Sequence, residues 1–362
     1  MFAKSFKALL ALVLIVTCSG LSFAKGKAYV ETTVASVDVH GNVNLAIKGG
    51  VFLAKGFSAS DIVNISVDKY KFSAPIVKNY SDVNNGDFLI RMNGDEISLA
   101  INMGNFSEVS GAKIGSKVTI SLKEHYGYLT SYQVRVLKKS NDREKFDSDE
   151  IFANFRNVTG GSISAEKLYR SYNPIESDER APFAAKLMED NGITLVVNLA
   201  DTNEIASQRE ESSAYYKKLD SEGKVVCVNM GSAFSGDEFH SKLKSALVFI
   251  ANHPGEKILI HGKEGKNRTG FVVAMLLALN GASYSDIEND FMKSFENFYG
   301  VKKNRQKQQY ELLSEAVPFM FVTMNNGKKF KEDNIQSIAQ NYLINTVGVP
   351  KPQVDALSKM FK

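Results

Sequence analysis

Residues 261–269 carry the side chains in this sequence that are best suited to bind an anion. The segment is His-Gly-Lys-Glu-Gly-Lys-Asn-Arg-Thr; it follows an apolar stretch, 257–260, and precedes a longer one, 270–279. If the first stretch is a strand and the second a helix, backbone N–H groups at their junction lack helical partners and can converge on an anion. The planar guanidinium of Arg268 can donate two parallel hydrogen bonds to phosphate oxygens. The pattern therefore predicts a phosphate-binding loop.

The two glycines of this loop permit a tight backbone that approaches a ligand closely. The residues expected to bind phosphate are His261, Gly262, Lys263, Glu264, Gly265, Lys266, Asn267 and Arg268, and Thr269 adds a hydroxyl. The expected partner is phosphate, sulfate or a phosphorylated ligand. The loop alone leaves open an ordinary turn whose basic side chains are simply solvated.

The segment resembles the signature of protein tyrosine and dual-specificity phosphatases, His-Cys-x5-Arg-Ser/Thr, and is most similar to bacterial versions with His-Cys-x-x-Gly-Lys-Asp-Arg-Thr-Gly. The matching positions are His261, Gly265, Lys266, Arg268, Thr269 and Gly270. The segment 168–174, with Arg170, is similar to the Arg-Ser-x-Asn-Pro segment of these bacterial enzymes. The resemblance implies a cysteine-phosphatase-like α/β domain over about residues 151–325, with Arg170 near the pocket.

Two positions depart from the phosphatase pattern. Gly262 stands where the family has its nucleophilic cysteine, and Asn267 stands where the bacterial subgroup has Asp. The mechanism that the resemblance implies needs a thiolate to attack phosphorus, and glycine offers no nucleophile. Cys227 lies in a different apolar stretch, and we expect it to pack inside as a small hydrophobic residue.

An acid that protonates the leaving oxygen is the other catalytic group that this mechanism requires. Asp201 follows the apolar stretch 193–199 and is the first candidate, because ligand sites of α/β sheets lie at the carboxyl ends of strands. Asp237 is the second candidate. Both could instead be solvated carboxylates, and Asp237 could cap the helix that begins near Glu238.

The alternation of predicted strands and helices in the second half of the sequence supports the α/β fold class. Apolar strands are predicted at 193–199, 224–230 and 257–260, and helices at 203–221, 236–252, 270–279, 284–298 and 304–316. Alternating strands and helices predict a layered domain with a largely parallel central sheet. Residues 326–362 are predicted to form a C-terminal helical tail.

The first half is predicted to be a small all-β domain over residues 25–138. Short alternating strands separated by turns such as His40-Gly41-Asn42 indicate a barrel or a sandwich. The segments 38–45, 98–106 and 111–118 are similar to the C-terminal β-domain of S-adenosylmethionine hydroxide adenosyltransferases. That family's larger domain has no counterpart here, so we expect an accessory domain without adenosyl chemistry. The polar residues 139–150 are the predicted linker.

Residues 1–24 have the three parts of a secretory signal peptide. Lys4 and Lys7 precede an apolar run, and Ser22-Phe23-Ala24 is a suitable cleavage site. We therefore expect an extracytoplasmic protein, in the periplasm or outside the cell. Lipidation of Cys18 is the less favoured alternative. Only Cys227 would remain after cleavage, so no internal disulfide is expected.

The amino-acid composition says little about the functional class of the protein. The chain has 362 residues, 44% hydrophobic, with a net charge of +4 whose basic residues are scattered, so it predicts neither nucleic-acid nor membrane-surface binding. We expect no transmembrane segment, no metal and no cofactor. Three functions stay open: a phosphate-binding pseudophosphatase, an active phosphatase of phosphotyrosine or small phosphate monoesters, and a structural protein with a relic loop.

Overall fold

The computed structural model describes residues 28–231 and 233–362. The predicted signal peptide, residues 1–24, and Cys18 lie outside the described residues. The described chain divides after Leu129 into two compact units. Within the described residues, no helix combines the length and the apolar character needed to cross a membrane.

The first unit is a closed barrel of seven strands, so the predicted choice between barrel and sandwich is resolved as a barrel. Its strands are β1 (Tyr29–Val37), β2 (Val43–Leu45), β3 (Ile62–Val67), β4 (Tyr70–Val77), β5 (Phe88–Asn93), β6 (Glu96–Ile101) and β7 (Lys117–Glu124). They follow the order β1-β2-β6-β5-β4-β3-β7, and β4 pairs with β5 in parallel while the other neighbours pair antiparallel.

Strand alternation builds the barrel core. In β3, Val63, Ile65 and Val67 are buried while the residues between them are more exposed, as expected for side chains on opposite faces of a strand. Two short helices accompany the strands, α1 (Gly49–Ala54) and α2 (Phe106–Ser110), and α3 (Leu129–Arg135) begins where the first unit ends.

The second unit contains a five-stranded sheet. Its strands are β8 (Arg156–Asn157), β9 (Leu168–Ser171), β10 (Leu195–Asn198), β11 (Val225–Cys227) and β12 (Ile258–His261), in the order β11-β10-β12-β9-β8. The first four strands of that order are parallel, and β8 pairs antiparallel with β9 at the edge. The predicted α/β fold with a mostly parallel sheet is confirmed.

The helices of the second unit cover both faces of this sheet. After α3 they are α4 (Asp149–Phe152), α5 (Ala181–Asp190), α6 (Asn203–Arg209), α7 (Ala214–Ser221), α8 (Asp237–Ala251), α9 (Asn267–Leu279), α10 (Tyr284–Tyr299), α11 (Lys307–Ser314), α12 (Ala316–Met324), α13 (Ile335–Asn341) and α14 (Lys351–Leu357). Alternate residues of β10 face opposite cores: Leu195 and Val197 contribute to one and Val196 to the other.

One predicted helix is interrupted. The pattern over 203–221 predicts a single helix, but α6 ends at Arg209, and the 3₁₀ turn Glu210–Ser212 and Ser213 separate it from α7. Ser213 has an extended backbone, and its side chain accepts a hydrogen bond from the N–H of Tyr216. A serine in this position begins a new helix, so its capping preference overrides the continuous apolar pattern.

Two segments outside the predicted 151–325 domain pack within the second unit. Val354, Leu357 and Phe361 belong to the same buried cluster as α9, so the tail contributes to the main core. In the segment 139–150, Ser140 accepts a hydrogen bond from the buried Arg180, and a 3₁₀ turn forms at Arg143–Lys145.

Candidate phosphate-binding site

A cavity of about 400 Å³ lies where β12 passes into α9. Its lining consists of Met230, Gly231, Gly262, Lys263, Glu264, Gly265, Lys266, Asn267, Arg268 and Thr269. The structure thus brings the predicted loop residues from Gly262 to Thr269 around one cavity, and His261 ends the strand beneath it.

Buried side chains hold the carbonyl groups of this loop. Arg170 donates from Nη2 to the carbonyl oxygens of Gly265 at 2.7 Å and Lys266 at 3.1 Å. Asn154 donates from Nδ2 to the carbonyl oxygens of Glu264 at 3.1 Å and Gly265 at 3.3 Å. Since both donors are fully buried, three consecutive loop carbonyls are fixed from inside the domain.

Fixing the carbonyls also fixes the direction of the amides. In a trans peptide the N–H points opposite to the C=O, so the N–H groups of residues 265, 266 and 267 face away from Arg170 and Asn154. Among the described residues, no group accepts a hydrogen bond from the backbone N–H groups of residues 263–268. These unpartnered amides and the N-terminus of α9 form a set of anion donors.

The charge of Arg170 is paired inside the domain. Asp290 on α10 pairs through Oδ2 with Arg170, and through Oδ1 with Nε of Arg156 at 3.0 Å. Burial lowers the pKa of Arg170 to about 10, with Asp290 opposing the shift, so the guanidinium is charged at neutral pH. Burial would raise the pKa of Asp290, but Arg170 and Arg156 outweigh it and the pKa is lowered.

The two loop glycines differ in what they tolerate. Gly265 has a φ of +65°, and a Cβ there would lie 2.0 Å from the carbonyl oxygen of Ser171, so the fold requires glycine. At Gly262 a Cβ would come no closer than 3.2 Å, the distance to Oγ1 of Thr269. A side chain at the position of the missing cysteine therefore requires the Thr269 hydroxyl to shift by a few tenths of an ångström.

Arg268 lies at the carboxyl ends of the parallel strands. Its Nη1 donates to the carbonyl oxygens of Met230 at 2.9 Å and Leu199 at 3.2 Å, which follow β11 and β10. Burial lowers the pKa of Arg268, and the nearby Asp201 opposes this shift. The guanidinium is thus anchored on one side while it lines the cavity.

Two buried side chains at the base of the cavity have unused polar atoms. Nδ1 and Nε2 of His261 and Oγ1 of Thr269 make no hydrogen bond in the described part of the chain, although both residues are fully buried. Burial holds the pKa of His261 well below its usual value near 6.5, so the imidazole is neutral at pH 7.

The rim of the cavity carries mixed charge. Lys263 and Asn267 are exposed, whereas Lys266 donates to the Tyr299 hydroxyl at 2.8 Å. Glu264 pairs with Lys139 at 2.8 Å and with Lys266 at 3.1 Å. Burial would raise the pKa of Glu264, but the two lysines outweigh it, so a carboxylate faces the cavity.

The two predicted acids lie outside the cavity lining. Asp201 is buried, and its oxygens accept hydrogen bonds from Asn173 at 2.8 Å, Asn198 at 3.0 Å and Arg209 at 3.0 Å. These contacts suit a residue that positions the loops at the end of β10. Asp237 is exposed and begins α8. The acid role of either residue stays a prediction.

Cys227 ends β11, which is two strands away from His261 in the sheet, roughly 10 Å at normal strand spacing. Burial raises the pKa of its thiol to about 12. A protonated thiol at this distance is unsuited to attack a phosphate held in the loop.

Sequence reasoning missed most of the residues that hold the loop. Asn154, Arg156 and Asp290 were not predicted, and neither was the contact of Lys139 with Glu264. Asn154 lies 111 residues before Gly265 in the sequence, and no local pattern connects them. Asn154 has a φ of +48°, a conformation that asparagine tolerates better than most residues, but this is not visible in the sequence.

We predict that Arg170→Lys lowers sulfate affinity at least about tenfold, because a charged donor that makes two hydrogen bonds to the loop carries about 1.5–3 kcal/mol. Arg143→Lys is the control, since Arg143 also pairs with an aspartate, Asp149, and donates to a backbone carbonyl, that of Phe146, neither of which belongs to the loop. Titration calorimetry on both variants, with unfolding curves alongside, separates loop geometry from stability. Equal losses of affinity in the two variants would contradict the assigned role.

We predict that Glu264→Gln raises sulfate affinity about three- to tenfold, since it removes a carboxylate from the cavity wall and releases two lysines. Glu311→Gln, an exposed carboxylate on α11, is the control and should leave affinity unchanged. The gain should shrink at high salt because screening weakens the repulsion. Calorimetry at two ionic strengths tests this, and an unchanged or weaker affinity of Glu264→Gln would refute it.

Comparisons with known proteins agree with this geometry. Residues 150–361 match the model of the tyrosine phosphatase family, and residues 32–119 match that of the SAM hydroxide adenosyltransferase C-terminal domain. Both resemblances seen in the sequence are confirmed. A search of curated proteins gives no significant match.

Two solved structures share short regions with the chain. An uncharacterized conserved protein from Thermotoga maritima is 30% identical, with a TM-score of 0.25, over 26% of this chain and 36% of that chain. A conserved hypothetical protein from Thermus thermophilus is 21% identical, with a TM-score of 0.20, over 25% of this chain and 34% of that chain. The matches thus span about a third of the length of each solved protein.

The phosphatase match covers well over half of the sequence and includes the cavity with its loop, β9 with Arg170 and α10 with Asp290. On this evidence the chain belongs to the tyrosine phosphatase family.

Proposed function

We propose that this protein is a phosphate-binding pseudophosphatase, which holds phosphate, sulfate or a phosphorylated ligand without hydrolysing it. One observation carries the proposal: Gly262 occupies the position of the nucleophile, while the loop amides, the Arg170 and Asn154 contacts behind them and Arg268 are all in place. Anion binding depends on the loop amides and on Arg268, whereas hydrolysis depends on the cysteine sulfur. Of these, only the sulfur is missing.

The loss of chemistry follows from the two-step mechanism of the family. Without a thiolate no phosphoryl-enzyme intermediate forms. Cys227 cannot substitute, because its thiol is partly buried, has a raised pKa and lies two strands away from the loop. Neither predicted acid, Asp201 or Asp237, lines the cavity, and the carboxylate that does line it, Glu264, is paired with Lys139 and Lys266.

The retention of binding follows from the anion donors. In active relatives a thiolate competes with phosphate for the same N–H dipoles, and its absence removes that repulsion. Glu264 weakens anion binding, because its negatively charged carboxylate lines the cavity and repels the anion. These opposing effects lead us to expect weak to moderate affinity.

The remaining parts of the protein receive supporting roles in this proposal. The match to the adenosyltransferase family covers only its C-terminal domain, over residues 32–119, and we assign the barrel an accessory role without adenosyl chemistry. The succession of charged, apolar and small residues over 1–24 supports export, with function in the periplasm or outside the cell.

We predict that the exported protein begins near Lys25. The measurement is N-terminal sequencing of protein recovered from outside the cytoplasm, with a chain lacking residues 1–24 as the non-exported control. Recovery of a chain that retains Met1, or lipid attached to Cys18, would contradict this prediction.

We predict that Arg268→Ala lowers phosphate and sulfate affinity by about one to two decades, because a charge-assisted bidentate contact contributes roughly 1.5–3 kcal/mol. Arg305→Ala, an exposed arginine of the same unit, is the control and should bind as the wild type does. Calorimetry with inorganic phosphate measures both. Absence of binding in the wild type, or equal binding by Arg268→Ala, would favour a relic loop.

The same preparations test hydrolysis of p-nitrophenyl phosphate. The wild type should match the uncatalysed rate, and Gly262→Cys should gain turnover, since it restores the thiol and needs only a shift of a few tenths of an ångström at Thr269. Wild-type turnover that is lost in Arg268→Ala would instead identify an active phosphatase.

A further inference from the structure

Three consecutive residues, 139–141, hold the segment that follows α3 against the rest of the second unit. The carbonyl oxygen of Ser140 accepts a hydrogen bond from Nη2 of Arg180, and Asn141 donates from Nδ2 to Oε2 of Glu179 at 3.1 Å. Arg180 is fully buried, so it is a fixed anchor for the backbone of this segment. We call residues 139–141 the strap.

The first residue of the strap contacts the anion-binding loop. Nζ of Lys139 lies 2.8 Å from Oε1 of Glu264, and the two side chains are 30% and 28% exposed. The same ammonium lies 5.6 Å from the ring centroid of Tyr172, within the range of cation–π attraction. The pair is partly shielded from water, and opposite charges attract more strongly there than in bulk solvent.

Lys139 offsets a negative charge in the wall of the cavity. Glu264 contributes a carboxylate to the lining, and its second partner, Lys266, also donates to the Tyr299 hydroxyl. Lys139 is not among the lining residues, so we expect it to act on the anion through this carboxylate. If the strap leaves, Glu264 keeps only Lys266, and the repulsion between carboxylate and anion grows. The cavity should therefore bind anions best while the strap is docked.

We propose that the strap regulates the anion site: the cavity has its higher affinity while Lys139 is docked on Glu264, and displacement of the strap lowers that affinity. The inference rests on the proposed function, because it concerns the anion held in the loop. The strap precedes the part of the chain that matches the tyrosine phosphatase family, which begins at residue 150. The regulating residue is thus supplied from outside the matched domain, by the segment between the two units.

The contact is tested with four full-length exported proteins: the wild type, Lys139→Gln, Glu264→Gln and the double variant. We expect Lys139→Gln to lower sulfate affinity about two- to fivefold in the wild-type background, the range for partly exposed ion pairs. In the Glu264→Gln background the same substitution should have little effect, because the carboxylate that Lys139 offsets is gone. Titration calorimetry measures all four. Equal losses in the two backgrounds would overturn the proposal, since Lys139 would then not act through Glu264.

A matched control separates the contact from net charge. Lys145→Gln removes an exposed lysine that lies four residues after the strap and pairs with Asp142 rather than with the loop. It changes the net charge as Lys139→Gln does, and we expect its sulfate affinity to equal that of the wild type. A loss as large as that of Lys139→Gln would count against the strap, because it would indicate a general effect of charge.

Displacement of the strap can also be measured directly. Coupling between two sites is reciprocal, so if docking of the strap raises sulfate affinity, bound sulfate must favour the docked strap. Trypsin cleaves the locally released chain, and its rate follows the population of that released state. We expect saturating sulfate to slow cleavage after Lys138 and Lys139 about two- to fivefold, relative to sodium chloride at the same ionic strength. Equal cleavage rates in the two salts, with fragments identified by mass, would refute the regulation.

The failures of the two proposals are distinguishable. If the wild type binds no sulfate, the proposed function fails, and the regulation of the site fails with it. If the wild type binds sulfate and Lys139→Gln binds it equally well, the proposed function stands and only the regulatory strap is wrong.

Discussion

The clamp on the loop carbonyls is the interaction on which the site depends. Arg170 and Asn154 hold the carbonyls of Glu264, Gly265 and Lys266 from inside the domain, and trans peptide geometry then turns the following amides the other way. Without these donors the loop carbonyls would be free to turn towards the cavity, where they would repel an anion. The anion site is thus a consequence of buried hydrogen bonds behind it.

Such a clamp carries a large desolvation penalty, which argues that it is retained for a purpose. Taking charged groups out of water costs several kcal/mol per ion, and a buried pair is no guarantee of net stability. Here a single carboxylate, that of Asp290, pairs with both Arg170 and Arg156, so the three groups on β8, β9 and α10 bury a net positive charge behind the loop. A domain that needed only stability would do as well with apolar residues at these positions.

Local patterns predicted the parts of the structure that depend on local interactions. The loop and the parallel strands follow from apolar runs and glycine spacing, and the two family resemblances follow from short motifs.

Closure of the first unit into a barrel depends on the pairing of β1 with β7, strands far apart in the sequence, so the sequence pattern did not distinguish a barrel from a sandwich. The single helix predicted over 203–221 was wrong because the cap at Ser213 outweighs amphipathic periodicity. The contact of Asn154 with Gly265 was not predictable, since it joins residues 111 positions apart and has no sequence pattern of its own.

The absence of the cysteine side chain at Gly262 separates oxyanion binding from hydrolysis, two properties that the family normally combines. The amides, Arg268 and the clamp recognise an oxyanion, and none of them requires the sulfur that Gly262 lacks. Asp201 illustrates the same separation, because its three hydrogen bonds hold Asn173, Asn198 and Arg209 at the end of the sheet whether or not it acts as an acid.

A crystal structure of the full-length protein soaked in tungstate tests this account most directly. We expect one tungstate in the cavity, with its oxygens about 3 Å from backbone nitrogens of residues 263–268 and from the Arg268 guanidinium, and with the three loop carbonyls still bonded to Arg170 and Asn154. An empty cavity, or a tungstate bound while those carbonyls face the cavity, would contradict it.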